Sequence, residues 1–186
     1  MKSTAQVVVI GGGVVGASVL YHLTRAGWTD VVLLERRELT AGSTWHAAGG
    51  MHTINGDPNV AALQRYTVQL YEELEKSSGV SCGVHLTGEV MLADDEDRMD
   101  WLRMVHARGR YLGMETELIS VAEAAQKVPF LVEEHFVGAL WDPVGGHVDP
   151  SGVTHAYATA ARMAGAEVYR NTWAYDIVAN ADDTWD

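Results

Sequence analysis

Three glycines and one glutamate are the first residues whose types and spacing could do chemistry. Gly11, Gly13 and Gly16 stand in the pattern G-x-G-x-x-G, with Glu35 further along the chain. Such glycines suit a dinucleotide: the first permits a tight turn, the second lets the backbone approach a pyrophosphate, and the third lets helix and strand lie close together. A helix starting at Val14 and Val15 turns its free N–H groups and positive dipole end to the phosphates. A carboxylate at Glu35, followed by Arg36, is placed to accept hydrogen bonds from ribose hydroxyls; its charge disfavours a 2′-phosphate and therefore NADP. The competing reading, a glycine-rich turn with no ligand, would leave the shared order of strand, glycines, helix and acid unexplained.

A second group follows at residues 42 to 50, GSTWHAAGG. Its glycines and small side chains leave backbone donors free to face another segment of ligand. Gly42, Ser43 and Thr44 are positioned to meet the pyrophosphate from the side opposite the first loop. Taken alone, Trp45 reads as a packing residue and His46 as a surface histidine.

The elements that must hold these residues follow from the apolar pattern. AQVVVI (5–10) is a short β-branched run ended by glycines, as expected of a central parallel strand buried on both faces. Val15, Val19, Leu20 and Leu23 keep helical spacing up to a stop at Gly27, and DVVLLE supplies the second buried strand, completing a βαβ unit. Val60, Leu63, Leu70 and Leu74 predict a helix from Asp57 and Pro58 to Gly79. The character then changes: GVHLTGEVMLA, ETELIS and FVGALWDP read as strands, while DDEDRMDWLRMVHARGRYLG and SVAEAAQKV read as helices, the latter with a capping box at Ser120 and Glu123. Asp149 and Pro150 suit the start of a further helix that ends near Gly165. EVYRNTWAYDIVA is a strand by composition, followed by the turn NADDT. The chain ends at Trp185 and Asp186, where the return strand of that hairpin would begin, so truncation at the C-terminus is expected.

The expected fold class is α/β: a Rossmann-type βαβ domain with an inserted part of an antiparallel-sheet domain. The expected boundaries are 1–79 for the first part of the dinucleotide domain, 80–144 for the insertion, and 145–186 for an incomplete second part.

Composition narrows the function classes. Lys and Arg number 13 against 25 Asp and Glu, a formal net charge of −12 that repels a polyanion and leaves no basic stripe for nucleic acid. No run of about 18 apolar residues or secretory leader is visible, so no membrane partner is expected and a cytoplasmic location is. Cys82, the single cysteine, reads as a small buried hydrophobe. His22, His106 and His155 pair with no metal-ligand spacing, so no metal is expected. Asp149 has a sufficient role as a helix cap, and the run Asp94, Asp95, Glu96 and Asp97 reads as a solvated helix start.

The segments IGGGVVGAS, LLERRELTAGSTWHAAGG and GHVDPSG together resemble the dimethylglycine and sarcosine dehydrogenase group of the D-amino-acid-oxidase-like flavoproteins, over essentially the whole chain. The resemblance implies that the dinucleotide is FAD and that His46 carries the flavin through a covalent bond to its 8α-methyl group. It places Trp45, Ala47, Ala48, Gly49 and Gly50 in the flavin loop with Gly42, Ser43 and Thr44. It implies oxidative demethylation of an N-methyl amine such as dimethylglycine or sarcosine, by hydride transfer to flavin. Tetrahydrofolate enters only in a full-length protein, and a transfer flavoprotein or oxygen serves as electron acceptor. In a eukaryote the location becomes the mitochondrial matrix. The family's substrate-contacting residues fall beyond Asp186, so no catalytic residue is assigned and the fragment alone is expected to be inactive. Two other readings compete: a non-catalytic relative resembling a phosphatase regulatory subunit, which lacks the attachment histidine, and an NAD-dependent dehydrogenase, in which loop 42–50 has no role.

Overall fold

A computed structural model describes residues 2–182 and 184–186. In chain order its elements are β1 (Val7–Ile10), α1 (Val14–Arg25), β2 (Val31–Leu34), β3 (Gly50–Met51), α2 (Pro58–Ser78), β4 (Glu89–Ala93), α3 (Glu96–Tyr111), β5 (Glu117–Ile119), α4 (Val121–Lys127), β6 (Gly138–Asp142), β7 (Gly146–His147), α5 (Pro150–Met163) and β8 (Glu167–Tyr169), with a 3₁₀ turn at Ser43–His46 and another at Glu133–His135. Two compact units form. The first comprises the stretch ending at Ala48, Tyr71–Gly83, and the stretch from Asp149 on; the second comprises Gly49–Leu70 and Val84–Val148. Residues 49–70, assigned from sequence to the first segment, therefore cluster with the second unit, and the division falls within α2.

The first unit is built on a parallel sheet ordered β1-β2-β8. The strand enclosed on both sides is β2, where Val31 and Leu33 are completely buried. β1 does not meet the expectation of burial on both faces. Among the described residues it has a paired neighbour on one edge only, its side chains alternate between half-buried and exposed, and Ile10 is 54% exposed. A β-branched run reports strand propensity and cannot report which strand receives two neighbours. α1 packs on α5 through Ala17, Leu20 and Tyr21, with the Tyr21 and Tyr157 rings 5.3 Å apart. The packed stripe is thus not the one expected, because Val15 and Val19 point outward. α5 begins as the sequence predicts, with Asp149 accepting from the Ser151 N–H at 2.9 Å and Pro150 in the first turn.

The expected strand at 167–179 is regular only over Glu167–Tyr169. Asn171 then adopts a left-handed conformation (φ 53°) and the chain leaves the sheet, its N–H donating to the Arg37 carbonyl. On either side of the predicted turn NADDT, of which Asp183 lies outside the described residues, Ala179 pairs antiparallel with Trp185, and the N–H groups of Val178 and Asp186 donate to each other's carbonyls at 2.8 and 2.9 Å. Cys82 is fully buried, and burial, with the nearby charges of Glu75 and Asp149, pushes its thiol up to about 12.

The second unit is an antiparallel sheet ordered β4-β6-β5. Alternation along the strands sends Met91, Ala93 and Leu140 to one face, against Met99 and Leu102 of α3, and Val90, Leu92, Ala139 and Trp141 to the other, with Ala124 of α4. Both helix starts follow the sequence: Asp95 accepts from the Arg98 N–H, and Ser120 with Glu123 closes a capping box. The expected strand from Gly83 is shorter, since β4 starts only at Glu89; of the preceding residues, His85 forms a single bridge to His147. In α2, Leu70 and Leu74 are buried as the spacing predicts, while Val60 and Leu63 are exposed.

Candidate functional site

The glycine loop lies between the end of β1 and the start of α1, and its shape follows from what surrounds it. Gly11 has φ of 111°, a conformation that side chains rarely tolerate. A Cβ on Gly12 would sit 2.6 Å from Leu39 Cδ2 and 2.8 Å from Glu35 Cβ, and one on Gly16 would run into the Gly11 carbonyl oxygen. Gly12, hidden in the sequence as the middle of three consecutive glycines, is therefore as constrained as the residues of the motif. It also donates its N–H to Glu35 Oε2 at 2.7 Å, while Glu35 Oε1 accepts from the Arg37 N–H at 2.7 Å. The carboxylate that the sequence suggests for ribose thus also ties the loop to the end of β2. Each of its oxygens keeps a further acceptor position.

Thr44 supplies the bond that brings loop 42–50 to the first loop. Its Oγ1, on a side chain that is 8% exposed, accepts from the Val14 N–H at 2.9 Å. This corrects the expectation that Val14 offers a free donor to a phosphate: the group is already satisfied from within the chain. Val15 and Gly16 remain in the first turn, where an α-helix provides no intrahelical acceptor, so the positive end is still presented.

These elements enclose a cavity of about 730 Å³ lined by Val9–Gly16, Val19, Glu35–Arg37, Ala41–Thr44 and Ala47. Of the residues predicted from sequence, it brings together Gly11, Gly13, Val14, Val15, Gly16, Glu35, Arg36, Gly42, Ser43, Thr44 and Ala47. Trp45, His46, Ala48, Gly49 and Gly50 do not line it; Trp45 is 70% exposed. Val15 and Val19, read from sequence as core, form part of the wall. A smaller recess of about 250 Å³ shares Ile10, Gly11, Glu35 and Arg36 and adds Thr172, Trp173 and Ala174. Sequence reasoning missed these last three because no local pattern reveals that the chain after β8 returns to the end of β2.

His46 closes the 3₁₀ turn, and its Nδ1 lies 3.1 Å from the Gly42 carbonyl oxygen. A carbonyl can only accept, so Nδ1 is the donor in this contact, and in a neutral imidazole the lone pair then lies on Nε2. Among the described residues no group of three or more His, Cys, Asp or Glu side chains could hold a metal ion, and no helix is long and apolar enough to cross a membrane.

A parallel βαβ unit with a glycine turn, an open helix start and an acid closing the second strand defines a dinucleotide-binding α/β protein. The cavity suits the ADP half of such a ligand, since backbone rather than side chain faces it at Gly11, Gly13 and Gly42. The chain belongs to the FAD dependent oxidoreductase family, whose profile matches residues 6–186. It is 38% identical to human mitochondrial dimethylglycine dehydrogenase over all of this chain and 21% of that protein. To the mouse mitochondrial pyruvate dehydrogenase phosphatase regulatory subunit it is 37% identical, over 92% of this chain and 20% of that one. The L-proline dehydrogenase of P. horikoshii superposes with a TM-score of 0.90 at 26% identity, covering 98% of this chain and 48% of that one. The chain therefore spans about a fifth of the length of these curated relatives.

Proposed function

We propose that this chain is the FAD-holding part of a flavoprotein that oxidatively demethylates an N-methyl amine such as dimethylglycine or sarcosine. The observation that carries this reading is the cavity where the glycine loop, Glu35 and Gly42–Thr44 converge, on a chain of the FAD dependent oxidoreductase family. The first unit is the FAD-binding domain and the second is part of a substrate domain. Bound FAD supplies the hydride acceptor, chemistry that no side chain can provide. The chain would hold it: the N–H groups of Val15 and Gly16 would meet the pyrophosphate, Glu35 would accept from ribose hydroxyls, and Arg36 would flank the same edge.

His46 is the covalent tether. The bond to Gly42 orients the ring, and Nε2 would supply the lone pair for a C–N bond to the 8α-methyl carbon. A bound flavin would take up the electron pair that such a bond releases, with one proton lost from the methyl and one from the imidazole, and a transfer flavoprotein or oxygen would reoxidise it. Tetrahydrofolate takes the one-carbon product only in a longer protein. The location is the mitochondrial matrix in a eukaryote and the cytoplasm otherwise.

The test is acid precipitation of the protein carrying this chain. Flavin absorption should pellet with the wild type and stay in the supernatant for His46→Ala; wild-type colour left in the supernatant would remove His46 as the tether. A second reading, a non-catalytic regulatory subunit, is favoured by the 37% identity to the mouse phosphatase subunit. It is separated by amine-dependent dye reduction in a protein extended past Asp186. Reduction absent there but flavin present supports the regulatory role.

A further inference from the structure

The second unit holds a cavity unconnected with any residue discussed so far. It measures about 190 Å³ and lies between the loop at Ile54–Gly56 and the outer side of α3, with Met114 at its far wall. Ile54, Trp101, Met104, Val105 and Met114 make its walls apolar, and Arg108 is its one cationic side chain.

Among the described residues, three nearby arginines are engaged with partners, whereas Arg108 and Arg110 are not, and of these two only Arg108 lines the recess. Arg65 donates to the carbonyls of Leu112 and Gly113, Arg103 pairs with Asp100 and Glu96, and the Arg98 guanidinium lies 4.0 Å over the Trp101 ring. Arg108 has no hydrogen bond or ion pair to its side chain among the described residues. Arg108 is exposed, so its five donors stand at the open side of an apolar recess with no acceptor from the described residues. The stacked Arg98 holds the indole of Trp101 in place as a flat wall, and the two methionines give adaptable surface beside it.

We infer that this recess binds a small aromatic or branched aliphatic monocarboxylate, with its apolar body against Trp101 and its carboxylate paired with Arg108. Size, wall chemistry and charge agree. At about 190 Å³ the open recess has room for a six-membered ring with a short arm. A planar carboxylate matches the two parallel donors of a guanidinium. A dianion such as phosphate is the poorer fit, because one arginine beside apolar walls does not offset the desolvation of two charges. The site is separate from the flavin cavity in its residues and does not depend on the function proposed above.

Phenylacetate is the probe, with 2-phenylethanol as its neutral counterpart. In a ¹⁵N-labelled sample of the chain, the Trp101 indole N–H signal is identified by its loss in Trp101→Phe and followed through a titration. Phenylacetate should shift it saturably, with 2-phenylethanol binding about tenfold weaker. Arg108→Gln should weaken phenylacetate by about tenfold or more, Arg108→Lys by less, and Arg110→Gln not at all. An unchanged spectrum away from α3 establishes that each variant is folded. A Trp101 signal that stays still while others move, equal midpoints for wild type and Arg108→Gln, or equal binding of acid and alcohol would each overturn the proposal.

Discussion

The two glycine-rich loops look alike in the sequence and differ in why they need glycine. In the loop at residues 11–16 the chain itself leaves no room or no alternative conformation: Gly12 faces Leu39 and Glu35, Gly16 faces the Gly11 carbonyl, and Gly11 has a positive φ. In the loop at residues 42–50, a Cβ on Gly42 or Gly50 would meet nothing within 4 Å. The first loop is glycine-rich because helix and strand must approach. The second has a conformational reason at Gly49, where φ is 81°, while at Gly42 the chain leaves room for a side chain. What joins them is one hydrogen bond, from the Val14 N–H to Thr44 Oγ1.

The largest effect should come from Gly16→Ala. The methyl would overlap backbone that cannot rotate away, so α1 must lift from β1 at a cost of about 3 kcal/mol. Urea denaturation gives the answer, and a variant as stable as wild type would break the claim that this glycine is structural. Next is Thr44→Val, which keeps the shape of a buried side chain but leaves the Val14 N–H without its acceptor. A loss of about 1–2 kcal/mol is expected, largely restored in Thr44→Ser. Glu35→Gln retains one carbonyl oxygen for two backbone donors, so about 1 kcal/mol should go. Gly42→Ala sharpens the contrast. Stability without FAD should change by less than about 1 kcal/mol, while FAD affinity, read by flavin fluorescence in a His46→Ala background where the cofactor is untethered, should fall about tenfold. Equal losses of stability in Gly42→Ala and Gly16→Ala would erase the distinction.

The smallest effect belongs to the second unit. Glu89 has a buried oxygen, Oε2, with no hydrogen-bond partner, and burial raises its pKa above the ordinary 4.5, with His52 opposing and the charge of Asp142 adding to the rise. Between 4.5 and that raised value the folded state holds more protons than the unfolded one, so stability falls as pH rises through this window. Glu89→Gln should flatten the decline in denaturation series run upward from pH 4.5; an unaltered slope would show that another group is responsible.

Local chemistry made much of this legible. The capping box at Ser120 and Glu123, the Asp149 and Pro150 start of α5, and the order of strand, glycines, helix and Glu35 all depend on neighbours within a few residues or on one βαβ unit. What stayed hidden depends on distant partners. Val15 and Val19 keep the spacing of a core stripe and instead line the cavity, because α5 packs against Ala17, Leu20 and Tyr21. Trp173 reaches the recess beside Glu35 only because Asn171 turns the chain out of the sheet.

The amino-acid sequence alone determined the α/β class, the dinucleotide loop and its acid, since glycine spacing and helix capping are constraints of backbone geometry that act locally. Only the tertiary structure decided that β2 rather than β1 is the enclosed strand, that Thr44 rather than a phosphate satisfies Val14, and that residues 49–70 group with the second unit. Those outcomes depend on which surfaces meet, and burial and hydrogen-bond satisfaction are properties of the meeting surfaces rather than of either segment.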